Sequence, residues 1–142
     1  MGLVLMKRDK KKKGDLAEKV VCLKITSCPR CKKGRLRRLR ENFECADVIC
    51  SSCGYLAQVK YVTVTNPEVE YISRLPGATW KTQEERLQAG IYHPIYFVLY
   101  FGGKPTRILY LAVDFQLPEM FRPRRKPPRC TSVRVSWTPR HT

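Results

Sequence analysis

A chain of 142 residues makes one ordinary domain and excludes a large multidomain enzyme. Its 28 Lys and Arg outnumber 12 Asp and Glu, giving a formal net charge of +16, while 43% of residues are hydrophobic. That apolar share supports a core, and the charge favours a polyanionic partner, either nucleic acid or an anionic membrane surface.

The excess lies on two flanks. Residues 1–45 carry net +10, residues 46–121 net −1 and residues 122–142 net +7. The sequence therefore divides into a basic tail at 1–14, a single folded domain over 15–121 and a basic, Pro-rich tail at 122–142. No run reaches the roughly 18–20 apolar residues of a membrane span, and Gly2 to Met6 is too short for a signal-peptide core. A cytoplasmic, membrane-free protein is expected. Seven cysteines in such a compartment point to metal rather than disulfides, because cytosolic thiols stay reduced.

In chain order, "KRDKKKK" at 7–13 reads as a solvated N-terminus that is compatible with phosphate binding. Asp15 to Leu23 reads as a short amphipathic helix with Asp15 at its N-cap and Leu16, Val20 and Leu23 on one face. Cys28-Pro-Arg-Cys31 and Cys50-Ser-Ser-Cys53 follow, separated by 18 residues. Two residues between cysteines let a tight turn aim both thiolates at one ion, and two such knuckles complete the four-sulfur shell that Zn²⁺ prefers. Such a shell leaves no open position, so Cys28, Cys31, Cys50 and Cys53 predict a structural zinc in a ribbon over 28–53. Gly34 and Gly54, just after the knuckles, supply backbone freedom for the turns. Cys22 and Cys45 read as small buried apolar positions, and Cys130 has no assigned role. "RLRRLR" at 35–40 reads as the exposed first arm of the ribbon, either contacting phosphate or staying a solvated edge.

Residues 43–64 read as strand, knuckle, strand. With the turn near Ser52, antiparallel pairing sets Asp47 opposite a residue between Leu56 and Gln58. Gln58 and Lys60, two apart, share a face. Asp47, Gln58 and the Val59 carbonyl then make an oxygen-rich site suited to Mg²⁺, with the Lys60 ammonium nearby.

These residues resemble the signature of the PD-(D/E)XK nucleases, in which an Asp is followed after about ten residues by Glu-x-Lys or a variant; here the positions are Asp47 and Gln58-Val59-Lys60. One CxxC upstream and a second between the Asp and the x-Lys motif resemble more specifically the zinc-containing, Dam-replacing type of restriction endonuclease. Segment 76–124 resembles the second half of that catalytic domain, and the likeness extends over about residues 15–125. The resemblance implies an α/β (α+β) restriction-endonuclease-like core with an inserted zinc ribbon, hydrolysing phosphodiesters of double-stranded DNA, with a homodimer as an allowed assembly. It implies that Asp47 binds divalent metal, that Gln58 stands at the second ligand position and that Lys60 activates water and stabilises charge on the phosphate. Glu18 stands where some members carry an additional acid. Gln58 departs from the usual Glu or Asp and removes a negative charge from the metal site. The rival readings are a non-catalytic zinc-ribbon nucleic-acid binder, with Asp47 and Lys60 merely pairing across the hairpin, and an inactive or truncated restriction enzyme.

Further on, Thr82 and Glu85 form a capping box for a short helix that ends at Gly90. Ile91 to Phe101 and Thr106 to Val113 read as two apolar strands joined at Gly102-Gly103, and they should form the centre of the sheet. His93 at the start of the first reads as structural. "RPRRKPPR" at 122–129 is an extended basic arm, because its prolines block regular structure, and Trp137 either docks that arm or stacks on a base.

Overall fold

The computed structural model describes residues 2–40, 46–68, 85, 86, 88–90, 93–116, 134 and 135. They form an α+β fold: one long helix, α1 (Gly2–Lys24), lies against a mixed sheet with strands in the order β1-β2-β3-β4-β5-β6. The strands are β1 (Leu36–Arg38), β2 (Val48–Cys50), β3 (Leu56–Thr63), β4 (Ile95–Phe101), β5 (Lys104–Leu111) and the two-residue β6 (Arg134–Val135). All neighbours are antiparallel except β3 and β4, which run parallel. A parallel pair needs a crossover, and the chain between Val64 and Pro94 supplies it.

The centre follows the apolar pattern. Ile95 through Tyr100 are all buried, so β4 is covered on both faces, as its continuous apolar sequence requires. Phe101 pairs with Lys104 across Gly102 and Gly103, whose φ values of 58° and 78° are those of a tight hairpin turn that glycine alone adopts without strain.

Two expectations for the N-terminus are corrected. The helix does not begin at Asp15 but runs unbroken from Gly2 through the basic stretch taken as a tail. Lysine is a good helix former, Asp9 and Lys13 pair at 3.4 Å one turn apart, and the Lys13 ammonium sits 5.7 Å from the centre of the Tyr61 ring. The buried face is also rotated: Ala17, Val21 and Ile25 are at most 6% exposed, whereas Leu16 and Leu23 are exposed and Val20 is half-buried. Small and β-branched side chains let the helix approach Ala57 and Val59 of β3 closely, and that rotation turns Glu18 toward the ribbon. No described helix is long and apolar enough to cross a membrane.

The expected cap at Thr82, Cys45, Cys130, the basic arm at 122–129 and Trp137 lie outside the described residues. At the end of the expected short helix, Ala89 donates to the Glu85 carbonyl at 3.0 Å and Gly90 takes φ 76°, the left-handed stop that was anticipated.

Candidate metal centre and carboxylate site

The two CxxC turns meet where the β2–β3 hairpin folds back on the loop before β1. Cys28 and Cys53 sulfurs are 3.7 Å apart, as are those of Cys31 and Cys50, and all four lie within 4.8 Å of one another. Zn–S bonds of about 2.3 Å in a tetrahedron place sulfurs roughly 3.8 Å apart. The cluster is therefore compatible with a structural zinc. Backbone N–H groups of Arg30, Gly34 and Ser52 donate to the sulfurs of Cys28, Cys31 and Cys50 at 3.3–3.4 Å. Donation from the Gly34 and Lys33 backbones draws the Cys31 thiol down to about 6, whereas burial pushes that of Cys28 up to about 11. A cation among the four sulfurs would favour the thiolate form of each.

The glycines act differently from each other. Gly54 has φ 77°, as the turn chemistry predicts, but at the first knuckle the left-handed residue is Lys32, with φ 63°. Gly34 is needed for space: a Cβ there would stand 2.5 Å from the Cys50 sulfur and 2.7 Å from the Ser52 hydroxyl.

The second cluster sits beside the ribbon. Val48 pairs with Ala57, yet the Asp47 N–H also donates to the Ala57 carbonyl at 2.8 Å. Asp47, just before β2, and Val48 thus face one residue of β3, the count of a β-bulge, which re-aims a side chain. Asp47 was expected opposite this part of β3, and its carboxylate turns to the strand edge, where Oδ2 accepts the Val59 N–H at 2.8 Å. A strand residue directs its N–H and C=O to the same side, so the Val59 carbonyl faces that edge too.

Glu18 reaches the same place from α1. Burial first, and then the neighbouring Asp47 carboxylate, raise its pKa from 4.5 to about 7 against the opposing pull of Arg38. Arg38 of β1 clamps the helix: its guanidinium donates to Glu18 at 2.9 and 3.2 Å and to Asp15 at 2.8 Å. One arginine of the "RLRRLR" arm is therefore committed to intramolecular carboxylates, while Arg35, Arg37 and Arg40 are exposed.

Gln58 and Lys60 share a face of β3, opposite Ala57 and Val59, whose side chains join the cluster beneath α1. Gln58 is 5% exposed, and its Oε1 is buried with no hydrogen-bond partner, so it bonds to neither Asp47 nor Glu18. Lys60 is half-buried. The structure thus brings Glu18, Asp47 and the Val59 backbone together and leaves the Gln58 amide oxygen open. The Arg38 clamp was not foreseen, although Asp15 and Glu18, three apart on a helix, share a face that a basic strand would meet. Cys22, expected to be buried, is half-buried with its thiol raised by burial. His93 is half-buried with its pKa lowered by burial, and its backbone carbonyl accepts from Gln116 Nε2 at 2.7 Å.

Compared with known proteins, the sequence matches no family model and no curated relative.

Proposed function

We propose that the chain is a metal-dependent endonuclease domain acting on double-stranded DNA, with a restriction-endonuclease-like core carrying the zinc ribbon in its catalytic hairpin. The observation that carries this reading is the pair of carboxyls, Glu18 and Asp47, at the strand edge toward which the Val59 backbone also turns. Carboxylate and carbonyl oxygens suit Mg²⁺, a hard cation that keeps several waters. Asp47 and the Val59 carbonyl would hold it, with the open Oε1 of Gln58 as a further donor and Glu18 as the additional acid. When bound, Mg²⁺ polarises the scissile phosphate and acidifies the attacking water.

The remaining work falls to side chains. Lys60 orients that water and offsets charge building on the phosphate. Glu18, whose carboxyl pKa is raised to about 7 by burial and by Asp47, would give up its proton to solvent once a cation is held beside it. Exposed Arg35, Arg37 and Arg40 on the ribbon hold the DNA backbone without reading sequence. Zinc keeps the hairpin folded and takes no part in the chemistry, because four thiolates leave it no open position.

Plasmid nicking by zinc-loaded protein with Mg²⁺ tests this. Lys60→Ala should retain zinc and folding while losing about 100-fold or more in cleavage rate; equal nicking by both proteins removes that lysine from the mechanism.

The reading as a non-catalytic zinc-ribbon binder, or as an inactive restriction enzyme, has one observation in its favour. Arg38 already gives Glu18 a counter-ion from the chain itself, and Gln58 brings no charge. It predicts DNA binding with a steep salt dependence and no cleavage with any divalent metal.

A further inference from the structure

We infer that a pocket at the knuckle end of the sheet binds a single unpaired nucleotide, its base against tyrosine and proline and its phosphate on Arg30. The pocket lies among the residues before β3, before β4 and after β5, and its volume is about 360 Å³. That is the small end of the range of about 300–1,000 Å³ for ligand pockets, sized for one nucleotide and far too small for a duplex.

Its lining divides by chemistry. Tyr55, Leu56, Pro94, Tyr110 and Val113 supply apolar and aromatic surface, and stacking on such surface is tolerant of base identity. The Tyr55 and Tyr110 hydroxyls, 3.2 Å apart, bond to each other and so tie the two rings together. Arg30 supplies the cation. Its guanidinium is fixed by donating to the Cys53 carbonyl at 2.6 Å and lies 5.9 Å from the Tyr55 ring centre. A guanidinium has five N–H donors in a fork, so its bonds to the Cys53 carbonyl and the Cys53 side chain still leave donors that match a phosphate. Burial, and then Arg86, lower the His93 pKa and so disfavour a charge on the ring, whose nitrogens are hydrogen-bonding groups for a base edge.

The pocket is preformed. Pro94 is anchored where its carbonyl accepts the Gln58 N–H at 2.9 Å, and His93 by Gln116. The knuckle fixes Arg30 between Cys28 and Cys31. Tyr55 lies four residues from Val59, about 13 Å along the strand, so the pocket is distinct from the carboxylate edge and stands whether or not that edge cleaves DNA.

The test is calorimetric titration of the zinc-loaded full chain with dAMP, deoxyadenosine and inorganic phosphate. The dAMP should bind about tenfold or more tighter than either fragment, and Arg30→Gln should reduce it to the level of deoxyadenosine. Val113→Trp, which fills the cavity, should abolish dAMP binding with zinc content unchanged. Should that variant misfold, amide shift mapping of the wild type serves instead: dAMP must perturb Gly54 and Tyr110, not α1. A duplex with one unpaired adenine that outcompetes the fully paired duplex assigns the nucleotide to a DNA strand; equal affinity of the two duplexes assigns it to the free pool. No dAMP binding, binding unaffected by Val113→Trp, or phosphate binding as tightly as dAMP overturns the proposal. Plasmid cleavage run on the same proteins keeps the two ideas apart, since binding without cleavage removes the nuclease and retains the pocket.

Discussion

The ribbon and the centre of the sheet are built from the same element, a β-hairpin, and are held in opposite ways. In β4 and β5, seven and eight residues long, order comes from burial: Ile95, Phe97 and Val98 are wholly inaccessible. β1 and β2 are three residues each, and β1 reads buried, exposed, exposed. Strands that short bury too little to offset the cost of ordering them. Four thiols and the Arg38 clamp supply what burial does not. A metal held by the four thiols would make one part of the fold conditional on a cation, while the other rests on apolar area.

Withdrawing the cation breaks the comparison most directly. Structural zinc binding is worth about 10–16 kcal/mol in small zinc domains. Chelation, or Cys50→Ser, should therefore expose the amides of β1 and β2 to hydrogen exchange while β4 stays protected; simultaneous loss of both would show that the halves are not separable. Phe97→Ala should do the reverse, costing about 3–5 kcal/mol in denaturant melts with the metal still bound at one per chain. Gly34→Ala acts on the ribbon alone. Its Cβ would press on the Cys50 sulfur, and a loss of about 1–3 kcal/mol is expected, read as weaker zinc retention against a competing chelator.

The smallest effect concerns the junction between the halves. Because Glu18 is raised from 4.5 to about 7, the folded protein holds a proton that the unfolded chain has already released. Its contribution is complete below about pH 4.5 and is lost as pH rises through 7. Glu18→Gln should flatten that segment of the stability profile and leave the variant roughly 1–3 kcal/mol more stable than wild type at pH 8 without Mg²⁺. A wild-type profile already flat between pH 5 and 8 would refute it.

The sequence disclosed the halves unequally. The knuckles were legible because ligand spacing is a covalent constraint, and β4 and β5 because an uninterrupted apolar run has few other uses. The face of α1 was misread: Leu16 and Leu23 are more hydrophobic than Ala17 and Val21, but close packing on β3 prefers the smaller pair. The length of α1 was misread for a related reason, since a lysine run looks solvated whether coiled or helical, and only docking of Ala17 and Val21 decides. At the candidate site, the placement of Asp47 near Ala57 followed from counting back from the turn. The bulge that redirects its carboxylate, and the arrival of Glu18 and Arg38 beside it, depend on tertiary geometry that spacing does not encode.

Among the described residues the one parallel contact is β3 against β4, and it joins strands far apart in the chain. Cys28 and Cys53 are 25 positions apart, and α1, β1 and β2 all precede β3 in the chain. Joining β4 to β3 closes a loop of about thirty residues, which by length alone costs only about 0.2 kcal/mol more than joining Cys28 to Cys53; what separates the two steps is that β4 follows the ribbon in the chain. During synthesis α1, β1, β2 and β3 emerge before β4, so the edge of β3 that pairs with β4 waits for its neighbour. A metal held by the four cysteines at that stage would keep β2 and β3 in register before β4 arrives.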